Sequence, residues 1–375
     1  MAGIGFELRK AITKGGLGSF LKAAFSGMMI VAGPWLLSIV GITAIQRLMG
    51  FAVSEAPDHF MGVIIYSYAW SLFFFGGVQF IYTRMMADML FVHEEQKAAG
   101  ALVFFLVPTL MLTIGIATFA VTRIEAPVAN PMLFSISAVV LFTSINAIWL
   151  FMIFISLLKW YTRILVIYTT GMTLSLLAVY FLGLEYGAAG ALAGYAFGQF
   201  SIALLLGILS FIAYKPTKVW SNAKLFVEYA KKFTPLLLTG VIYYWGIWID
   251  KMVFWFVRGE RIPGTFIYLF GNFDIAVYLA NLSMIPGLIF FIISSETTFY
   301  VELRRFLVSL GKGTYASIQK RKLAVLDGVK KGVANQSMFQ GVITLTLVLL
   351  APIIARYFEL DIGTFRIVLV GVYMH

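Results

Sequence analysis

Apolar runs almost free of charge recur along nearly the whole chain. They occupy residues 23–46, 60–83, 98–122, 131–158, 164–184 and 186–214, and the pattern resumes at 233–257, 273–295 and 336–355. At about 1.5 Å per helical residue, runs of this length cross a hydrocarbon layer about 30 Å thick. Only a helix or a closed barrel satisfies its own backbone in such a layer, so the pattern predicts an all-α polytopic membrane protein. Composition agrees, because 61% of the 375 residues are hydrophobic and only 12% are charged. One water-facing core could not hide that much apolar surface.

Residues 1–22 place Ile4, Leu8, Ala11 and Ile12 on one helical face and Arg9, Lys10 and Lys14 on another, as expected of a cytoplasmic interfacial helix. The run 23–46 is too long for a signal-peptide core and is expected to remain as a first span, interrupted at Gly33-Pro34. Gly190, Gly194 and Gly198 recur every fourth residue, which predicts a closely approaching neighbour helix. The basic stretch 215–232 divides the chain into an N-terminal six-helix lobe, 23–214, and a C-terminal lobe, 233–375. Pro34-Trp-Leu-Leu-Ser38 is echoed by Pro235-Leu-Leu-Leu-Thr239, which fits two related bundles around a central cleft. Span eight is expected to break at Pro286-Gly287. A second basic segment, 301–332, precedes span nine. The last apolar run, from Ile367 to His375, is too short to cross, so the chain is expected to end inside a tenth span.

Most of the 28 Lys and Arg fall in 1–22, 215–232 and 301–332, which lie on one side if the spans alternate. The positive-inside rule then makes the N-terminus cytoplasmic. It also absorbs the formal charge of +11: the basic surfaces face anionic lipid or a cytoplasmic partner, and nucleic acid has no role. With no Cys, disulfides, thiolate metal sites and thiol catalysis are excluded. His59, His93 and His375 are too scattered to hold a metal, and no HExxH, GxSxG or Walker A pattern occurs. The expectation is a non-enzyme without cofactor or metal.

The candidate site residues are therefore polar and aromatic groups at membrane depth. Asp250 and Lys251 sit side by side about 25 Å in from Lys232, in the far third of the hydrocarbon core. They are either a self-neutralising pair snorkelling to the far interface or a pair lining a water-filled cavity. Arg47, Asp250 and Asp274 fall near the outer ends of spans one, seven and eight, at depths that suit an outer gate. Asn146 and Gln199 lie mid-span, as interhelical hydrogen bonders or pathway groups. Gln79, Arg84, Asp88 and Glu296 lie near the inner end, with Arg84 and Asp88 spaced for a local ion pair. Tyr243, Tyr244, Trp245 and Trp248 crowd span seven and suit either a sugar-lining surface or an interfacial belt. Lys320, Arg321 and Lys322 head the second basic segment as candidates for docking a partner.

Several stretches carry a resemblance: MAGIGFELRK, GPWLLSIVGI, GGVQFIYTRMMADMLF, WIDKMVFWF, and FDIAVYLANLSMIPGLIFFI followed by SSETTFY. Together the chain resembles the Pel exopolysaccharide exporter family, grouped with the MOP flippases. The resemblance implies two six-helix lobes around a cleft lined by helices 1, 2, 7 and 8, and export of an N-acetylgalactosamine-rich polysaccharide across the bacterial inner membrane. It also implies a cytosolic glycosyltransferase and inner-membrane subunits of the same secretion system as partners. The alternatives are a lipid-linked oligosaccharide flippase or drug antiporter of the same fold, and a membrane scaffold for a synthase.

Overall fold

The computed structural model describes residues 33–34, 36–45, 57–294 and 299–374. The expected interfacial helix 1–22, Arg47 and Glu296 lie outside the described residues. Helices follow in the order α1 Leu36–Ile45, α2 Pro57–Phe91, α3 Glu95–Val121, α4 Pro131–Leu157, α5 Tyr161–Ala213, α6 Asn222–Lys232 and α7 Thr234–Arg258. A short hairpin, β1 Glu260–Arg261 with β2 Tyr268–Leu269, precedes α8 Gly271–Leu282, α9 Ile285–Ser294, α10 Tyr300–Lys312, α11 Tyr315–Phe358 and α12 Ile362–Met374. Among the described residues, seven stretches are long and apolar enough to cross a membrane, α8 and α9 counting together as one. Contacts sort the chain into two compact units, Pro34–Phe270 and a unit containing everything from Gly271 onward.

In the first unit α4 is the most enclosed element, with 67% of its span buried. Asn130 caps it by accepting from the Leu133 N–H at 3.1 Å, and Pro131 opens it where a missing N–H costs nothing. Tyr82 from α2, Phe154 from α4 and Tyr195 from α5 are fully buried around it.

α5 is two arms joined at Tyr186 and Gly187, whose backbone leaves the helical region with φ +60° at Gly187. The arms return antiparallel, and the four-residue glycine spacing lies in their seam. A Cβ on Gly194 would strike the Val179 backbone, and one on Gly198 would strike Ser175. The expected close approach is therefore made within α5 itself.

The two proline motifs have the same local geometry. Ser38 donates to the Pro34 carbonyl at 2.9 Å, and Thr239 donates to the Pro235 carbonyl at 2.8 Å. Each hydroxyl bonds back to the carbonyl four residues before it.

In the second unit the break of span eight differs from expectation. It lies at Ser283-Met284, three residues before Gly287; Pro286 is already in the first turn of α9, where it is tolerated. A neighbouring helix reaches into the break: the Gln340 amide donates to the Ser283 carbonyl at 3.1 Å and the Gln336 amide to the Gly287 carbonyl at 2.9 Å. A side chain on Gly287 would collide with Gln340. The basic segment also differs from a loop. It forms α10 and the first half of α11, and α11 continues unbroken into span nine for 44 residues. Similarly, the linker 215–232 contains the helix α6.

Gln340 is 3% exposed, and Gln340→Leu would take the donor from the half-buried Ser283 carbonyl. We expect a loss of about 1–3 kcal/mol, read as a lower thermal unfolding midpoint in detergent. Ser337→Leu, at an exposed position between the two glutamines, should leave the midpoint unchanged.

Candidate functional site

α2 and α7 run antiparallel and touch along their length through small and aromatic residues. At the middle the backbones meet: a Cβ on Gly240 would lie 2.5 Å from the Gly76 carbonyl, while Tyr244 covers Gly76 and Val241 covers Gly77. On one side of this contact Phe73 stacks on Trp245 at 4.3 Å, and Tyr66 stacks on Trp255 at 5.1 Å. On the other, Phe80 meets Tyr243 and Tyr244 edge-on at 6.0 and 6.3 Å. These rings bury large areas with geometry that fixes register. Tyr243 is still 48% and Trp245 45% exposed, so one face of the seam stays open, whereas Trp248 leans on Trp255 at 6.2 Å.

Both ends of the seam are tied. At the α7 start, Arg84 pairs with Asp88 at 3.0 Å and lies 5.5 Å over the Phe233 ring, and Tyr229 of α6 donates to Asp88 at 3.1 Å. The spacing of Arg84 and Asp88 made the pair readable; its capture by Tyr229 and Phe233 was not. At the other end the hairpin folds over α2. Tyr66 donates its hydroxyl to the Tyr268 carbonyl at 3.1 Å and accepts the Tyr268 N–H at 2.9 Å, and His59 Nε2 sits 2.9 Å from the Pro263 carbonyl. Pro263-Gly264 turns this hairpin, with Gly264 at φ +71° and the Thr265 N–H returning to Ile262 at 3.1 Å.

Asp250 and Lys251 settle their charges between themselves. Lys251 Nζ donates to Asp250 at 3.2 Å and to the Ile247 carbonyl at 2.7 Å, and lies 5.5 Å over the Trp248 ring. The Asp250 carboxylate also accepts the Lys251 N–H at 2.7 Å. Its side chain remains 50% exposed against 14% for Lys251. Asp274 stands in the first turn of α8, in the other unit. Asn146 and Gln199 are each 1% exposed. Asn146 donates to the Phe142 carbonyl of its own helix at 2.8 Å, whereas Gln199 makes its bond across helices, reaching the Met172 sulfur in the other arm of α5 at 3.4 Å. Lys320, Arg321 and Lys322 are exposed on α11, and Arg321 lies 3.9 Å from Glu302 of α10. Gln336 and Gln340 were missed; their signal is a polar stripe with Thr344, every fourth residue through an apolar run. Among the described residues no cluster of His, Cys, Asp or Glu could hold a metal ion.

Together these features define a multi-pass helical membrane protein with an aromatic seam at membrane depth and its charges paired locally. More particularly, the chain belongs to the PelG family: the family model described as "Putative exopolysaccharide Exporter (EPS-E)" matches residues 1–375. Membership places it among membrane exporters of polysaccharide. No curated protein matches the chain. Among solved structures, the eukaryotic MATE transporter AtDTX14 is similar over 93% of both chains, at 10% identity and a TM-score of 0.49.

Lys251→Met would strip the Asp250 carboxylate of its countercharge. We expect a destabilisation of about 1–2 kcal/mol, largely recovered in the Asp250→Asn/Lys251→Met double variant. Thermal unfolding of the three proteins in detergent checks this; a double variant no better than the single would mean that the two charges act independently.

Proposed function

We propose that this protein exports a Pel-type, N-acetylgalactosamine-rich polysaccharide across the bacterial inner membrane, with its N-terminus in the cytoplasm and without catalysing a chemical step. Family membership over residues 1–375 is the observation that carries the reading. The polymer passes along the open face of α7, where Tyr243 and Trp245 offer ring surfaces to sugar faces and Asp250 offers a hydrogen-bond acceptor. A pyranose ring has apolar C–H faces and a polar rim, which suits aromatic rings flanked by an acceptor. A cytosolic glycosyltransferase docks on the basic surface of α10 and α11, and inner-membrane subunits of the same system complete the assembly.

The chain has no Cys, so single cysteines report without background. Cysteines at 243, 245 and 250 should react with a membrane-impermeant maleimide, and ongoing polymer synthesis should protect them. Unreactive positions in an export-competent protein would move the path elsewhere. For the docking surface, neutralising Lys320, Arg321 and Lys322 should lower co-purification of the glycosyltransferase several-fold at equal expression. Unchanged recovery would leave these residues facing only anionic lipid.

A further inference from the structure

The outer flank of the first unit carries two adjoining cavities of opposite character. The first, about 200 Å³, is a groove between α2, α3, α4 and the hairpin, lined by Val63, Trp70, Phe74, Ala120, Phe142 and Phe266 among others. The second, about 680 Å³, shares Ile116, Ala120 and Phe266 with it and contains Arg123, Arg261 and Glu125. An apolar slot thus opens directly into a chamber with two guanidinium groups.

We propose that the two cavities together bind one phospholipid with an anionic headgroup, an acyl chain lying in the groove and the phosphate between Arg123 and Arg261. Three observations support this occupant. First, depth: from Val63 to Phe74 the groove follows α2 for about 16 Å, the thickness of one leaflet of a hydrocarbon core about 30 Å across. Second, surroundings: Met111, Leu112, Ile114 and Phe119 on the adjoining surface of α3 are exposed large apolar side chains, which in a membrane have lipid as their solvent.

Third, charge: Arg123 lies 5.4 Å over the Phe119 ring, and Arg261 Nε donates to the Thr265 carbonyl at 2.6 Å. Each guanidinium is oriented by a contact that leaves donors over, and neither is in an ion pair among the described residues. Glu125 is the opposing charge in the chamber. Its backbone N–H holds the Gly264 carbonyl at 2.8 Å, which fixes the hairpin wall but leaves its carboxylate beside the site. Two cations against one anion favour a phosphate carrying no compensating choline, and the forked geometry of Arg suits its oxygens.

The test is native mass spectrometry of the full chain, taken from detergent into mixtures of phosphatidylglycerol and phosphatidylcholine. The intact protein should retain phosphatidylglycerol over phosphatidylcholine by about fivefold or more, roughly the attraction of one basic residue for anionic lipid. Arg123→Gln/Arg261→Gln should bring the ratio near one, and Glu125→Gln should raise it. Ala120→Trp, which fills the slot and leaves the charges, should lower retention of both lipids. If the double variant does not fold, Arg123→Gln alone, at an exposed position, should still lower the ratio. A ratio that ignores the arginines, or an intact protein that retains both lipids equally, would overturn the proposal. Failure here would not touch the export reading, which rests on family membership and the α7 face.

Discussion

A hydrocarbon layer offers no water to a backbone carbonyl, so every departure from regular helix has to bring its own partner. This governs the interruption of span eight. The Ser283-Met284 break is served by two glutamine amides from α11. An unpaired buried carbonyl would cost about 1–3 kcal/mol, so these side chains belong to the interruption as much as its proline and glycine do. Within regular helix, by contrast, Ser38, Thr239 and Lys251 each add a side-chain donor to a carbonyl four residues back. The matched Pro34–Ser38 and Pro235–Thr239 bonds give the short sequence echo a physical content: both hydroxyls bond back to the proline carbonyl.

Much of the fold could be read from the residues, because a bilayer writes its thickness directly into the length of an uncharged run. The glycine period at 190, 194 and 198 was readable for a related reason, since nothing but backbone fits where Gly194 meets Val179. What escaped was structure that depends on partners distant in the chain. The hairpin of residues 260–269 joins two spans and has no periodicity of its own, although Pro263-Gly264 announces its turn. Its role in clamping α2 needs Tyr66 and His59, about two hundred residues earlier. The break of span eight was placed at Pro286 because proline is the visible breaker. The helix instead ends before it, and Pro286 begins the next.

The candidate site divides in the same way. The Arg84–Asp88 pair followed from spacing alone, and Asp250 with Lys251 followed from adjacency. Asn146 bonds within its own helix, which no sequence pattern distinguishes from a bond across helices. The aromatics of α7 are shared between two tasks. Tyr244 and Trp255 are spent on α2, while Tyr243 and Trp245 keep nearly half their surface free. A single aromatic-rich helix therefore both holds the seam and presents a surface, and composition cannot apportion the two.

The meeting of Gly76 and Gly240 has a mechanical consequence. Where two backbones touch, sliding is blocked because Tyr244 and Val241 are keyed over Gly76 and Gly77. Rotation about that point is less hindered, since Gly76, Gly77 and Gly240 add no side chain of their own to the contact. The contact is thus a fulcrum, with Tyr66 and Trp255 on one arm and Arg84 and Phe233 on the other. Tilting α7 would part the side chains at one end while pressing them together at the other, so the two ends of the seam cannot open at once.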